Sequence, residues 1–188
     1  MRKLLFAFLF TTLSHFNLKA QETSELKIGI GDAATFEVLF AMENVFVEIF
    51  TGHVGDIDTE MNFPYVFIDY RFPISDRSKI GLQAGYYSYN GIVNRANETL
   101  RYEIKNSAFT LLPGIDYRYL QKNKFKMYGN AMIGVSFLST KYEGSKNSDA
   151  IFIFQINPVG ISYGDKTAVF AELGLGISVF NAGLKFKL

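Results

Sequence analysis

The chain has no cysteine and no tryptophan. Without cysteine there is no disulfide framework, no thiolate nucleophile, no Cys-based metal site and no acceptor for a lipid anchor. Stability must then come from packing or from a membrane. Histidine is almost as scarce, with only two in the chain. His15 falls in the leader described below, so a Ser/His/Asp site would have to be built on His53 alone. A non-enzymatic protein without cofactor is the reading that follows. The net charge of +1 gives no basic footprint for nucleic acid. After the first twenty residues no window holds 18 consecutive apolar residues, which excludes a helical membrane span.

What is present begins with a basic pair, Arg2 and Lys3, an apolar run from Leu4 to Leu13, and Leu18-Lys19-Ala20 ending in a small residue. That order predicts a secretory signal peptide over residues 1–20, leaving 21–188 as one exported domain. Cleavage there removes three of the 19 basic residues and none of the 18 acidic ones, so the mature charge turns slightly negative.

The chain carries 11 Tyr, 19 Phe and 16 Gly, a composition that favours strands bounded by tight turns. The strands show as a period of two. In "NFPYVFIDYRF" Val66, Ile68, Tyr70 and Phe72 share one face, with Tyr65, Phe67, Asp69 and Arg71 on the other. "KIGLQAGYYSY", a longer strand from about Leu100 to Tyr119, "FKMYGNAMIGVSF", "AVFAELGLG" and the closing "AGLKFKL" alternate in the same way. In "AIFIFQINPVGISYG" the parity slips by one residue at Asn157-Pro158, as a β-bulge would make it. With "ELKIGIG" the strands number eight. "PISDRS", "QKNK" and "GDKT" read as short turns. The connections between them read as mostly longer and polar, "EGSKNSD" among them, with a tight hairpin around Ser178 to Asn181 as the exception.

The faces decide what kind of sheet this is. One set carries Asp69, Arg71, Gln83, Asp116, Arg118, Asn130, Glu172, Lys185 and Lys187; the opposite set is Phe, Tyr, Ile, Leu, Val, Met and Ala. A soluble ligand-binding barrel has an apolar lumen and a polar exterior, and here the polarity is reversed. The expected fold is all-β: an eight-stranded antiparallel up-and-down transmembrane barrel, its polar residues forming an ion-pair and hydrogen-bond network in the lumen. Eight strands leave an interior just wide enough for side chains to fill. Strand eight is expected to pair with the strand around Lys27 to Gly31, because a membrane sheet cannot tolerate free edges.

The leader, the eight strands and the terminal "GLKFKL" resemble the small outer-membrane β-barrel family, the OmpX/OmpA-barrel type of Gram-negative bacteria. The resemblance implies a location in the outer membrane among lipid and lipopolysaccharide. It also implies assembly by the barrel-assembly machinery, with Leu184, Phe186 and Leu188 matching the aromatic-rich terminal signal. The usual last residue of that signal is Phe, from which Leu188 departs.

One segment has a different period. Between about 32 and 61, Glu37, Asn44, Glu48 and Thr51 fall in a narrow arc at 100° per residue, with Asp32 placed to cap the start and Gly52 the end. This predicts an amphipathic helix over 33–51, lying in the membrane interface or over the barrel mouth; the alternative is a further strand pair. "GIGDAA" fits G-x-G-x-x-A but lacks the parallel second strand that a dinucleotide site needs. Asp56, Asp58 and Glu60 are the candidate ligands for a hard cation. They do not complete a calcium loop, so a solvated acidic loop is preferred.

These readings converge on a monomeric, porin-like outer-membrane barrel acting in envelope integrity or surface interaction. A narrow passive channel or small-solute transporter is the alternative, and a soluble periplasmic ligand binder a more distant one.

Overall fold

The computed structural model describes residues 23–32, 57–94, 101–142 and 145–188. The elements in them are eight strands: β1 (Glu25–Gly31), β2 (Ile57–Pro73), β3 (Ser78–Asn94), β4 (Arg101–Lys122), β5 (Phe125–Tyr142), β6 (Ser145–Gly164), β7 (Thr167–Gly176) and β8 (Phe180–Lys187). Each is antiparallel to its neighbours, and β8 returns to β1, so the sheet closes in chain order as an up-and-down barrel. The closing seam runs from Glu25 opposite Lys187 to Gly31 opposite Asn181. It is extended by the Leu188 amide, which donates to the Ser24 carbonyl at 2.9 Å. Closure removes the unpaired donors and acceptors that an open edge would present there.

One end of the barrel is made of short turns at 74–77, 123–124 and 165–166. In the first, the Ser75 hydroxyl accepts the Ser78 amide at 3.0 Å and the Arg77 amide at 3.3 Å. The second has Asn123 at φ 53°, a left-handed conformation that asparagine tolerates better than most residues with a side chain.

The other end is uneven. β1, β7 and β8 have 7, 10 and 8 residues, whereas β2 to β6 have 17, 17, 22, 18 and 20. β1 pairs with β2 only as far as Tyr65, while β2 stays paired with β3 out to Ile57. β7 leaves β6 at Gln155, while β6 stays paired with β5 out to Ser145. A five-stranded sheet therefore stands above the rim on one side. This corrects the reading of "EGSKNSD" as a loop: β5 runs to Tyr142 and β6 begins at Ser145. Asn147, Ser148, Asp149 and Ala150 are all exposed, so both faces of the strand meet solvent there. A strand wet on both sides loses the alternation that betrays it in sequence. Residues 57–61, assigned above to the insertion, likewise belong to β2. The 33–51 helix and the 1–20 leader lie outside the described residues.

Where β6 meets β7, the register shifts between Ile156 and Val159. On either side of the shift Phe154, Ile156, Val159, Ile161 and Tyr163 are all exposed, so the bulge absorbs the extra residue at Pro158 and the apolar side chains stay outward. A shift between Tyr128 and Asn130 on β5 against β6 lies beside it.

Candidate functional site

Alternation places two chemistries on the two sides of one wall. Outward stand Ile28, Ile68, Leu82, Ile115, Ile133, Val169 and Leu184, all exposed. Inward and buried stand Glu25, Lys27, Asp69, Arg71, Lys79, Gln83, Asp116, Lys126, Asn130, Gln155, Asn157, Glu172 and Lys185.

The centre of the inner set is Lys27, at 1% exposure. Its Nζ lies 2.9 Å from Asp116 Oδ2 on β4, 3.1 Å from Glu172 Oε1 on β7 and 3.7 Å from Asp69 Oδ2 on β2. Arg71 joins from β2, its Nε 2.6 Å from Asp69 Oδ1 and 3.4 Å from Asp116 Oδ1. These last are ionic contacts without hydrogen-bond geometry. Arg71 Nε and Nη1, Asp69 Oδ1 and Asp116 Oδ1 have no hydrogen-bond partner among the described residues. Glu172 is otherwise well held: Tyr128 Oη donates to its Oε1 at 2.7 Å and Asn157 Nδ2 to its Oε2 at 3.0 Å. Two cations thus face three carboxylates in the middle of the lumen.

Nearer the short-turn mouth the balance reverses. Glu25 pairs with Lys79 at 3.0 Å, Lys126 at 3.4 Å and Lys185 at 3.7 Å, and the Lys185 ammonium sits 4.0 Å from the centre of the Tyr128 ring. The cavities left at this mouth measure about 30 Å³ and about 10 Å³, room for a water or two. The lumen also holds a buried apolar cluster of Tyr65, Phe67, Tyr87, Leu112, Met132, Ile153, Phe170 and Ile177, with Thr110, Ser136, Gln155 and Ser178 buried as well. Gly29 makes that packing possible, because a Cβ there would run into the rings of Phe67 and Phe170.

Of the polar residues singled out in the sequence, Asp69, Arg71, Asp116, Asn130 and Glu172 meet in the middle of the lumen, and Gln83 bonds the Tyr65 hydroxyl at 3.0 Å. Lys185 belongs to the Glu25 cluster. Two others sit apart. Arg118 lines the short-turn mouth and donates to the Asp76 carbonyl. Lys187 is a third exposed and lies 3.5 Å from the Asp165 carboxylate. At the turns the inward face opens to solvent, so parity no longer implies burial. Leu184, Phe186 and Leu188 follow the outward parity of β8, Leu184 and Leu188 exposed and Phe186 partly so. Asp56 lies outside the described residues, and Asp58 and Glu60 fall on β2, their side chains outside the described part. Among the described residues no group of His, Asp or Glu side chains is placed to hold a metal ion.

Sequence reasoning passed over Glu25, Lys27, Lys79, Lys126, Gln155 and Asn157. The signal was there for the most important of them: in "ELKIGIG" Glu25 and Lys27 alternate against Leu26, Ile28 and Ile30.

The architecture is an all-β, closed, eight-stranded antiparallel up-and-down barrel. The chain matches no protein-family model and no curated protein. Among solved structures it is similar to the crystal structure of Ail, the attachment invasion locus protein of Yersinia pestis. Identity is 12%, the match covers 88% of this chain and 100% of that one, and the TM-score is 0.41. A likeness at that level carries no functional argument, which must come from the barrel itself.

Proposed function

We propose that the protein is a monomeric, non-enzymatic outer-membrane barrel with a sealed lumen, serving envelope integrity or surface interaction through the end where β2 to β6 project. The observation that carries this is the reversed polarity of the wall, apolar outside and ionic within. The outward residues are also layered, which adds support. Tyr70, Tyr117, Tyr119 and Tyr163 are exposed just before the short turns, Tyr86, Phe109, Phe137 and Phe180 toward the other end, and aliphatic residues such as Ile68, Ile133 and Leu184 between them. Aromatic girdles around an aliphatic band are how a barrel meets the two membrane interfaces. The height is compatible: the 8 residues of β8 span about 26 Å along the strand, and tilted they cross most of a roughly 25 Å apolar band.

The sealed lumen is supported by the cross-lumen ion pairs at one level and the Tyr65–Phe67–Phe170 cluster at another, two obstructions in series. In this reading the outer wall contacts lipid and lipopolysaccharide, and Leu184, Phe186 and Leu188 present the barrel-assembly machinery with its signal.

Two measurements test the reading. Mature protein from a washed outer-membrane fraction is run unboiled beside boiled on a detergent gel, and a shift of the membrane-bound band is expected. The same protein in a planar bilayer is expected to give no stable unitary current. Recovery in the soluble fraction overturns the membrane reading; reproducible conductance overturns the sealed lumen and favours the passive channel.

A further inference from the structure

We infer that Lys27 is a latch that holds the barrel shut along the seam between β1 and β8. The inference rests on the closed sheet and not on where the protein resides.

The seam is one of the three short ladders of the ring, β1–β2, β1–β8 and β7–β8, each registering seven residue pairs. β1 has 7 residues and β8 has 8, against 17 to 22 in β2 to β4, and beyond the ladder the seam is held at its rim end by Asp32, whose amide donates to the Phe180 carbonyl and whose carboxylate accepts the Val179 and Phe180 amides. Lys27 stands in the middle of β1, opposite Lys185 across the seam. Its Nζ does not serve β1's neighbours best. The short contacts, 2.9 Å to Asp116 and 3.1 Å to Glu172, go to β4 and β7.

Those two strands lie on opposite sides of β1 around the ring. Through the sheet, β7 is reached from β1 only by crossing β8 in one direction, or β2 to β6 in the other. If β1 parted from β8, Lys27 would move away from Glu172 while Asp116 stayed with the β2 to β6 wall. Asn157 and Tyr128 would still hold Glu172, but the cation between the two walls would be gone. Opening thus strips Glu172 of its cation, while Lys27 stays beside Asp69, its partner across the β1–β2 ladder. Removing one partner of a buried charge set is costly, because the others are left uncompensated. Closed seam and compensated lumen are therefore one state.

The test uses engineered disulfides, in a chain with no native cysteine. Ile30 and Ala182 are opposite each other across the seam with exposed or partly exposed side chains, and Phe109 and Phe137 are the matching outward pair between β4 and β5. The readout is the temperature at which the folded band converts to the unfolded one on a gel. For protein recovered in water, the melting temperature replaces it.

Lys27→Met is expected to lower that temperature by about 10 °C. Oxidised Ile30→Cys/Ala182→Cys should restore most of the loss, and oxidised Phe109→Cys/Phe137→Cys should restore little. If Lys27→Met does not fold, Glu172→Gln takes its place with the same ordering expected. An unchanged temperature, or equal rescue by both disulfides or by neither, overturns the latch, because the loss would then be absent or a general loss of stability.

Discussion

Asn157, fully buried on β6, donates to Asn130 Oδ1 at 2.8 Å and to Glu172 Oε2 at 3.0 Å, and its Oδ1 accepts from Gln155 Nε2 at 2.6 Å. Replacing it with leucine leaves three buried polar groups each short of a partner. Asn157→Leu should lower unfolding stability by roughly 2–4 kcal/mol, since an orphaned buried group costs about 1–3 kcal/mol and such networks are cooperative. Denaturant titration of the detergent-folded protein measures it, and a loss under half a kcal/mol would contradict the bonding described. Gly85 makes a steric counterpart. A Cβ there would enter the ring of Tyr65, whose hydroxyl lies 2.9 Å from Thr110 Oγ1 and 3.0 Å from Gln83 Nε2. Gly85→Val should therefore displace Tyr65 and cost about 1–3 kcal/mol. At this scale sequence told which face a residue was on, because parity is local. It could not tell which residues meet: Asp116, Glu172 and Lys27 come from strands far apart in the chain, and only the stagger of the closed ring brings them together.

The bulge between Ile156 and Val159 shows what a single strand can reveal. Apolar side chains change parity at Asn157-Pro158, and the register against β7 shifts there, because proline has no donor for the ladder. Deleting Pro158 takes out the extra residue, so Val159, Ile161 and Tyr163 should stay outward and Gly160 and Ser162 inward on a strand that alternates without a bulge. The expected outcome is that the heat-modifiable band is kept. Pro158→Ala, which keeps the residue count, should keep the band and change stability by less than about 1 kcal/mol. If the deletion abolishes the band while Pro158→Ala keeps it, parity alone does not set the register and the bulge itself is required. Strand ends above the rim were illegible for the opposite reason. With Asn147 to Ala150 exposed on both faces, nothing apolar marks one side from the other, and a polar strand reads as a polar loop.

For the molecule as a whole, the same wall has to be explained either as a membrane barrel or as a barrel in water, and one substitution separates them. Leu184 on β8 is opposite Ile28 on β1 and Val169 on β7, in the aliphatic layer between the aromatic ones, and its side chain points away from the lumen network. In lipid an arginine at mid-band costs roughly 2–4 kcal/mol, while in water an exposed substitution changes stability by about half a kcal/mol or less. Lys185 beside it supplies the control, because it faces the other way. Lys185→Met removes a cation from Glu25 and Tyr128 whatever solvent surrounds the barrel. Folding into lipid vesicles should therefore be impaired by both Leu184→Arg and Lys185→Met if the protein spans a membrane. If Lys185→Met alone is impaired and Leu184→Arg folds normally, the outer face does not meet lipid. The apolar exterior would then have to be covered by another protein surface.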